Sequence, residues 1–243
     1  MVAINAALLQ SESEFKKQCN DPASYRVELD ALRGIKSSIA PRLLGHDDST
    51  MTLRLEPVGK PLAHLVSHDE HRFTFSQIRK VLGGLLQGLS ELHAQRYCHY
   101  NVTPHNVCVV GDLAGDCNVK LIEYGAGFSL DRIPDSHKTK RVKDLACVSP
   151  EHLSCTPELG EAADVFCAGV AMLKVIRGGL DLFSPSRGDI ESQIREAQAQ
   201  VPTKTSWGEP IPGDVNLLLK SMLAVDPTYR RSKLCLTMLG SIE

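Results

Sequence analysis

The stretch FTFSQIRKVLGGLLQGLSELHAQ, residues 73–95, constrains the fold more than any other part of the chain. Its apolar residues Ile78, Val81, Leu82, Leu85, Leu86, Leu89 and Leu92 recur at intervals of three and four, which predicts a long helix with one buried stripe. Ser76 is the expected N-cap. Gly83, Gly84 and Gly88 each cost about 1 kcal/mol relative to alanine in a helix, so burial against neighbouring elements must hold it together.

Around this helix the periodicity changes. Upstream, SYRVELDALRGI places Tyr25, Val27, Leu29 and Leu32 on a shorter helix, and IAPRLLGHDD and MTLRLEPVG predict two strands joined by a turn. MVAIN is a candidate strand at the start. Downstream, NVCVV and NVKLI flank GDLAGDC in the manner of a hairpin with a longer loop. From Asp164 onward the patterns are helical: ADVFCAGVAMLKVI, DIESQIREAQAQ, GDVNLLLKSML and KLCLTMLGSI. A small β-rich part therefore precedes a mostly helical part that carries one hairpin.

Composition narrows the function classes. In 243 residues the net charge is −2, so no basic field favours nucleic acid or an anionic membrane. No apolar run nears the roughly 20 residues of a membrane-spanning helix. The start of the chain lacks the basic region of a signal peptide. Eight cysteines are scattered without a C-x-x-C pair, which argues against a zinc ribbon and for a reducing, cytoplasmic setting.

Between the long helix and the hairpin lies HYNVTPHNV, and here the chain resembles a protein kinase. His99, Tyr100, Asn101, Val102 and Asn106 stand at the spacing of the catalytic loop H-R-D-L-x-x-x-N. Glu123-Tyr124-Gly125 occupies the place of D-F-G, and Ser149-Pro150-Glu151 that of A-P-E. ADVFCAGV is similar to the family's helix with Asp164 and Gly169 retained, and DPTYRRS to its D-P-x-x-R pattern with Arg230. Near the start, Val2 to Asn5 resembles V-A-I-K, and Glu28 the glutamate that partners the lysine. The resemblance implies an α+β, bilobal kinase-like fold with a truncated β-rich N-lobe (residues 1–59), beginning only at its third strand, and a mostly helical C-lobe (residues 60–243).

The departures bear on chemistry, because phosphoryl transfer relies on positioning and charge neutralisation. Asn101 stands where the resemblance puts the base; its amide cannot accept the substrate proton, a loss of roughly 10²–10⁴-fold. Thr103 replaces a lysine that stabilises the moving phosphoryl group. With Asn5 in the lysine position, no ion pair with Glu28 is expected. Glu123 keeps the metal-binding carboxylate on a longer arm, and Asn106 retains a second ligand, but magnesium demands near-ideal octahedral geometry. No G-x-G-x-x-G precedes Val2 to cover nucleotide phosphates.

For the remaining positions the expectation is architectural. His99 is a packed loop holder, Asn106 a brace, Asp164 an acceptor for loop amides, and Glu151 with Arg230 a buried ion pair. The expected function is that of a pseudokinase, a scaffold or allosteric subunit without cofactor, binding ATP and magnesium only weakly. The alternative is a weakly active, atypical kinase using Glu123 and Asn106 for metal. A third reading takes the chain as a fragment, which would restore a phosphate loop but not Asn101 or Thr103. The open strand edge at Val2 to Asn5 is expected to recruit a protein partner by strand addition.

Overall fold

The computed structural model describes residues 13–67, 73–135, 149–179 and 189–240. The first elements among the described residues are strand β1 (Phe15–Gln18), helix α1 (Pro22–Gly34), and strands β2 (Leu43–Asp47) and β3 (Thr52–Leu55). β1 and β2 both run antiparallel to β3, giving the order β1-β3-β2. Alternation along β1 turns Phe15 and Lys17 inward and leaves Lys16 and Gln18 exposed.

Asp21 caps α1 by accepting from the Ser24 amide, and Pro22 occupies the first turn, where its missing N–H costs nothing. The buried stripe of α1 is Tyr25, Glu28, Leu29, Ala31 and Leu32. Val27 lies off that face and is 39% exposed. A carboxylate thus sits in the helix's buried row, which points to a cationic partner in the sheet.

A short strand β4 (Lys60–Pro61) and helix α2 (Leu62–Ser67) lead to α3 (Phe75–Ala94). Thr74 rather than Ser76 caps α3, through a reciprocal capping box with Gln77. All seven apolar residues of its predicted stripe are buried. Gly88 is required by contact: a Cβ there would lie 2.3 Å from Ile39.

Strand β5 (Tyr97–Cys98) is followed by the hairpin β6 (Val107–Gly111) and β7 (Cys117–Leu121), paired from Val107↔Leu121 to Gly111↔Cys117. β4 adds to β6, and β5 pairs with β8 (Phe128–Ser129). The helical part comprises α4 (Pro150–Ser154), α5 (Gly160–Ile176), α6 (Ile190–Ala199), α7 (Gly213–Met222) and α8 (Ser232–Gly240). α5 is buried almost throughout, from Gly160 to Ile176, and is the spine against which α3 and α7 pack. One continuous core runs from Phe15 and Leu53 through α3 to Leu219 and Leu239. No helix among the described residues is long and apolar enough to cross a membrane.

Candidate functional site

The candidate site is built from the loop after β5, the turn after β7, and the paired side chains of Lys17 on β1 and Glu28 on α1. Residues 99–106 connect a two-residue strand to the hairpin. Asp164 holds this loop from α5. Its carboxylate is fully buried and accepts from the amides of His99 at 2.8 Å and Tyr100 at 2.7 Å, and it meets His93 Nε2 at 3.1 Å. Tyr100 sits at φ 59°, a left-handed conformation that a bulky residue adopts only when its surroundings enforce it.

His99 is fully buried, and burial depresses its pKa to about 4. The neutral ring donates from Nε2 to the Ile122 carbonyl at 3.0 Å, leaving Nδ1 to accept from the Asn101 amide at 3.3 Å. With both nitrogens engaged by backbone, His99 holds the loop and is not placed to move a proton. Asn106 donates from Nδ2 to the Asn101 carbonyl at 2.8 Å, so its amide braces the same turn. The carbonyl of Thr103, itself buried, accepts from Asn106 and Val107 amides at 2.9 and 3.0 Å. The Asn101 side chain is the group presented at the position of the family's base, and an amide has no proton-accepting state near neutral pH.

One expectation is corrected. Asn5 lies outside the described residues, and the strand that faces Glu28 is β1. Its Lys17 ammonium is ion-paired with Glu28 and lies 2.8 Å from Glu123 Oε1. The lysine–glutamate pair that Asn5 was expected to abolish is therefore present, formed by Lys17. Burial works against the ammonium, but the two carboxylates outweigh it and hold the Lys17 pKa above its ordinary value. For Glu28 burial dominates, with Glu123 adding repulsion, and its pKa is raised despite Lys17 and a hydrogen bond from the Tyr124 backbone N–H.

A signal for Lys17 was available. In a strand the second lysine of FKKQ falls on the same face as Phe15, eleven residues before a glutamate in a helix's apolar row.

Glu123 adopts φ 72° and ψ 56°, and a 3₁₀ turn, Tyr124–Ala126, follows. The turn packs on α1 and drives the Tyr124 ring into the core, edge-on to His99 with ring centres 4.7 Å apart. A phenol here carries a cost that a phenylalanine would not. The Tyr124 hydroxyl is buried and finds no hydrogen-bond partner among the described residues, and nor does that of Tyr97. Tyr124→Phe is expected to raise stability by about 1–3 kcal/mol, the penalty of an unsatisfied buried polar group, measured by urea unfolding. A loss would mean the hydroxyl is satisfied.

Toward the helical part, the site's frame is an ion pair and an aromatic cluster. Glu151 on α4 is bidentate with Arg230, whose Nη1 also donates to the Ala162 carbonyl at 2.7 Å and Nη2 to the Val225 carbonyl at 3.1 Å. Where the family's loop carries arginine, Tyr100 stacks on His152 (4.1 Å) and meets Phe128 edge-on (5.1 Å). The sequence reading did not anticipate this cluster, because its members are far apart in the chain.

The donor set fits a nucleotide–metal complex only in part. Lys17 is the right cation for phosphate oxygens. Glu123 and Asn106 are the available metal ligands; Glu123 is engaged by Lys17, whereas the Asn106 bond to backbone uses Nδ2 and not the Oδ1 that would coordinate a metal. Among the described residues no group of three or more His, Cys, Asp or Glu side chains is arranged to hold a metal.

The protein kinase domain family matches residues 5–239. Relatives include a maternal embryonic leucine zipper kinase of Xenopus tropicalis, 25% identical over 217 residues, covering 88% of this chain and 31% of that protein. A membrane-associated tyrosine- and threonine-specific cdc2-inhibitory kinase wee-1.3 of Caenorhabditis elegans is 28% identical over 162 residues, 67% of this chain and 22% of its own length. CBL-interacting protein kinase 4 of rice (Oryza sativa subsp. japonica) is 25% identical over 198 residues, 75% of this chain and 41% of its length. The chain thus spans well under half the length of these relatives. With its α+β architecture and five motif positions in order, the chain belongs to the protein kinase family.

Proposed function

We propose that this domain is a pseudokinase: it keeps the kinase frame, does not transfer phosphate at a useful rate, and works as a protein-binding scaffold or allosteric subunit. The observation that carries this reading is Asn101, an amide at the position where the resemblance puts the base, on a loop held by Asp164 and Asn106. Thr103 and the engagement of Glu123 with Lys17 add to it. The lysine no longer counts toward inactivity, because Lys17 fills its role.

The Lys17–Glu28 pair gives the second reading its one specific support, a weakly active or atypical kinase that binds ATP and uses Glu123 and Asn106 for metal. A thermal-shift titration separates the nucleotide question from the chemical one. The pseudokinase reading expects little shift with ATP and magnesium at millimolar concentration. A ligand at 100 times its dissociation constant would stabilise by about 2.7 kcal/mol, so a metal-dependent rise of that order would favour the second reading.

A protein partner is part of the proposal. Val2 to Asn5 lies outside the described residues; among these, β1 pairs with β3 on one side only, so its other edge is the place for an added strand. Slow hydrogen exchange at Phe15 to Gln18 only in the presence of a captured partner would support this docking mode, and unchanged exchange would oppose it.

A further inference from the structure

The segment after α1 carries a side-chain cluster outside the candidate site. Glu91 on α3 turns its carboxylate toward residues 37 and 38. Its Oε2 accepts from Ser37 Oγ at 2.8 Å, the Ser38 amide at 2.9 Å and Ser38 Oγ at 3.0 Å, while Gln87 donates to Oε1 at 2.9 Å. Partial burial disfavours the charge, but these hydrogen bonds outweigh it and hold the Glu91 carboxyl below its ordinary pKa.

Flanking contacts extend the clasp. Lys36 and Gln95 exchange hydrogen bonds at 2.9 and 3.0 Å, and Ile39 fills the notch over Gly88. The Ile39 carbonyl accepts from the Leu121 amide at 2.8 Å, and Lys120 Nζ donates to the Ser38 carbonyl at 3.0 Å. Residues 36–39 thereby fasten the C-terminal end of α1, and with it Glu28, to α3 and β7.

Ser38 is exposed although its hydroxyl is committed to Glu91, and the exposed Lys36 and Arg33 precede it. We propose that Ser38 is a phosphorylation site, modified by a separate kinase that selects basic residues N-terminal to its serine, and that the phosphate opens the clasp. Ser38 Oγ attacks the γ-phosphorus of ATP; the new O–P bond forms as the bond to ADP breaks, and the hydroxyl proton passes to that kinase's base. The product places a charge of about −1.5 to −2 within hydrogen-bond reach of an ionised carboxylate. Lys120, which already bridges the Ser38 carbonyl and Glu56, is a cation close by. Repulsion from Glu91 displaces residues 36–39, frees α1 and loosens Lys17–Glu28. The proposal holds whether or not this chain itself transfers phosphate.

The test is to incubate the full chain with a basic-directed serine kinase and magnesium ATP, map the phosphate, and follow hydrogen exchange from Tyr25 to Leu32. Phosphate on Ser38 and about tenfold faster exchange across α1, equivalent to about 1.4 kcal/mol, are expected. Ser38→Asp should accelerate exchange likewise, and Ser38→Asp with Glu91→Lys should restore it, which mere loss of packing would not. No phosphate at Ser38 overturns the proposal. So does unchanged or slower exchange in the phosphorylated chain, as pairing with Lys120 would give, or failure of the charge reversal.

Discussion

Arg230→Ala is expected to lower the melting temperature by on the order of 10 °C. The guanidinium is fully buried and bidentate with Glu151, itself 2% exposed. Removing it strands a buried carboxylate and leaves the carbonyls of Ala162 and Val225 without their donor. Breaking one partner of such a pair costs roughly 3–5 kcal/mol, and in a domain of this size each kilocalorie moves the midpoint by about 2–4 °C.

Glu151→Ala should cost less, because Arg230 keeps both carbonyl acceptors and the face of Phe166, 5.5 Å away. The double variant Glu151→Leu/Arg230→Met should recover much of the loss, since hydrophobic replacement of both partners is often neutral. Calorimetric melting of the set checks this; an Arg230→Ala midpoint within a degree or two of wild type would remove Glu151–Arg230 from the frame.

Lys17→Met is expected to destabilise the fold by roughly 3–5 kcal/mol at neutral pH, through the carboxylate it leaves behind. The pH dependence follows from the sign of each shift. In the wild type Lys17 has a raised folded pKa, so its contribution is full below the ordinary lysine value and is lost as pH climbs through the folded one. In the variant Glu28 loses its cation, and its already raised pKa rises further. A carboxyl whose folded pKa exceeds its unfolded value of about 4.3 destabilises increasingly as pH rises between the two. The deficit of Lys17→Met should therefore shrink toward acid pH and reach full size above the folded Glu28 pKa. Urea unfolding between acid and neutral pH reads this directly. A deficit independent of pH would mean that Glu28 does not carry the cost.

The elements that could be read from the sequence are those whose signal is local. The α3 stripe from Ile78 to Leu92 is periodic over about four turns, and all of it is buried. The hairpin shows as two β-branched runs around a glycine-rich loop, and the spacing from His99 to Asn106 is preserved. Boundaries were less legible: Thr74 outcompetes Ser76 as cap because Gln77 can return the hydrogen bond only to Thr74.

Lys17 was missed because a four-residue match at Val2 to Asn5 outweighed the geometry of Glu28. A glutamate at the buried positions of α1 demands a cation on the facing strand, and FKKQ supplies one at the inward register. The clasp at Glu91 and the stacking of Tyr100 on His152 join residues 53 and 52 positions apart, and no local pattern announces them.

Asn101 bears the central claim, and phosphoryl transfer under single-turnover conditions tests it most directly. Wild-type protein and Asn106→Ala would be incubated with labelled ATP, magnesium or manganese, and generic protein substrates, and scored for transfer to substrate or to the chain itself. The account predicts no transfer by the wild type above the Asn106→Ala background. A reproducible wild-type rate that Asn106→Ala abolishes would contradict it, and would show that Lys17, Glu123 and Asn106 still assemble a working site.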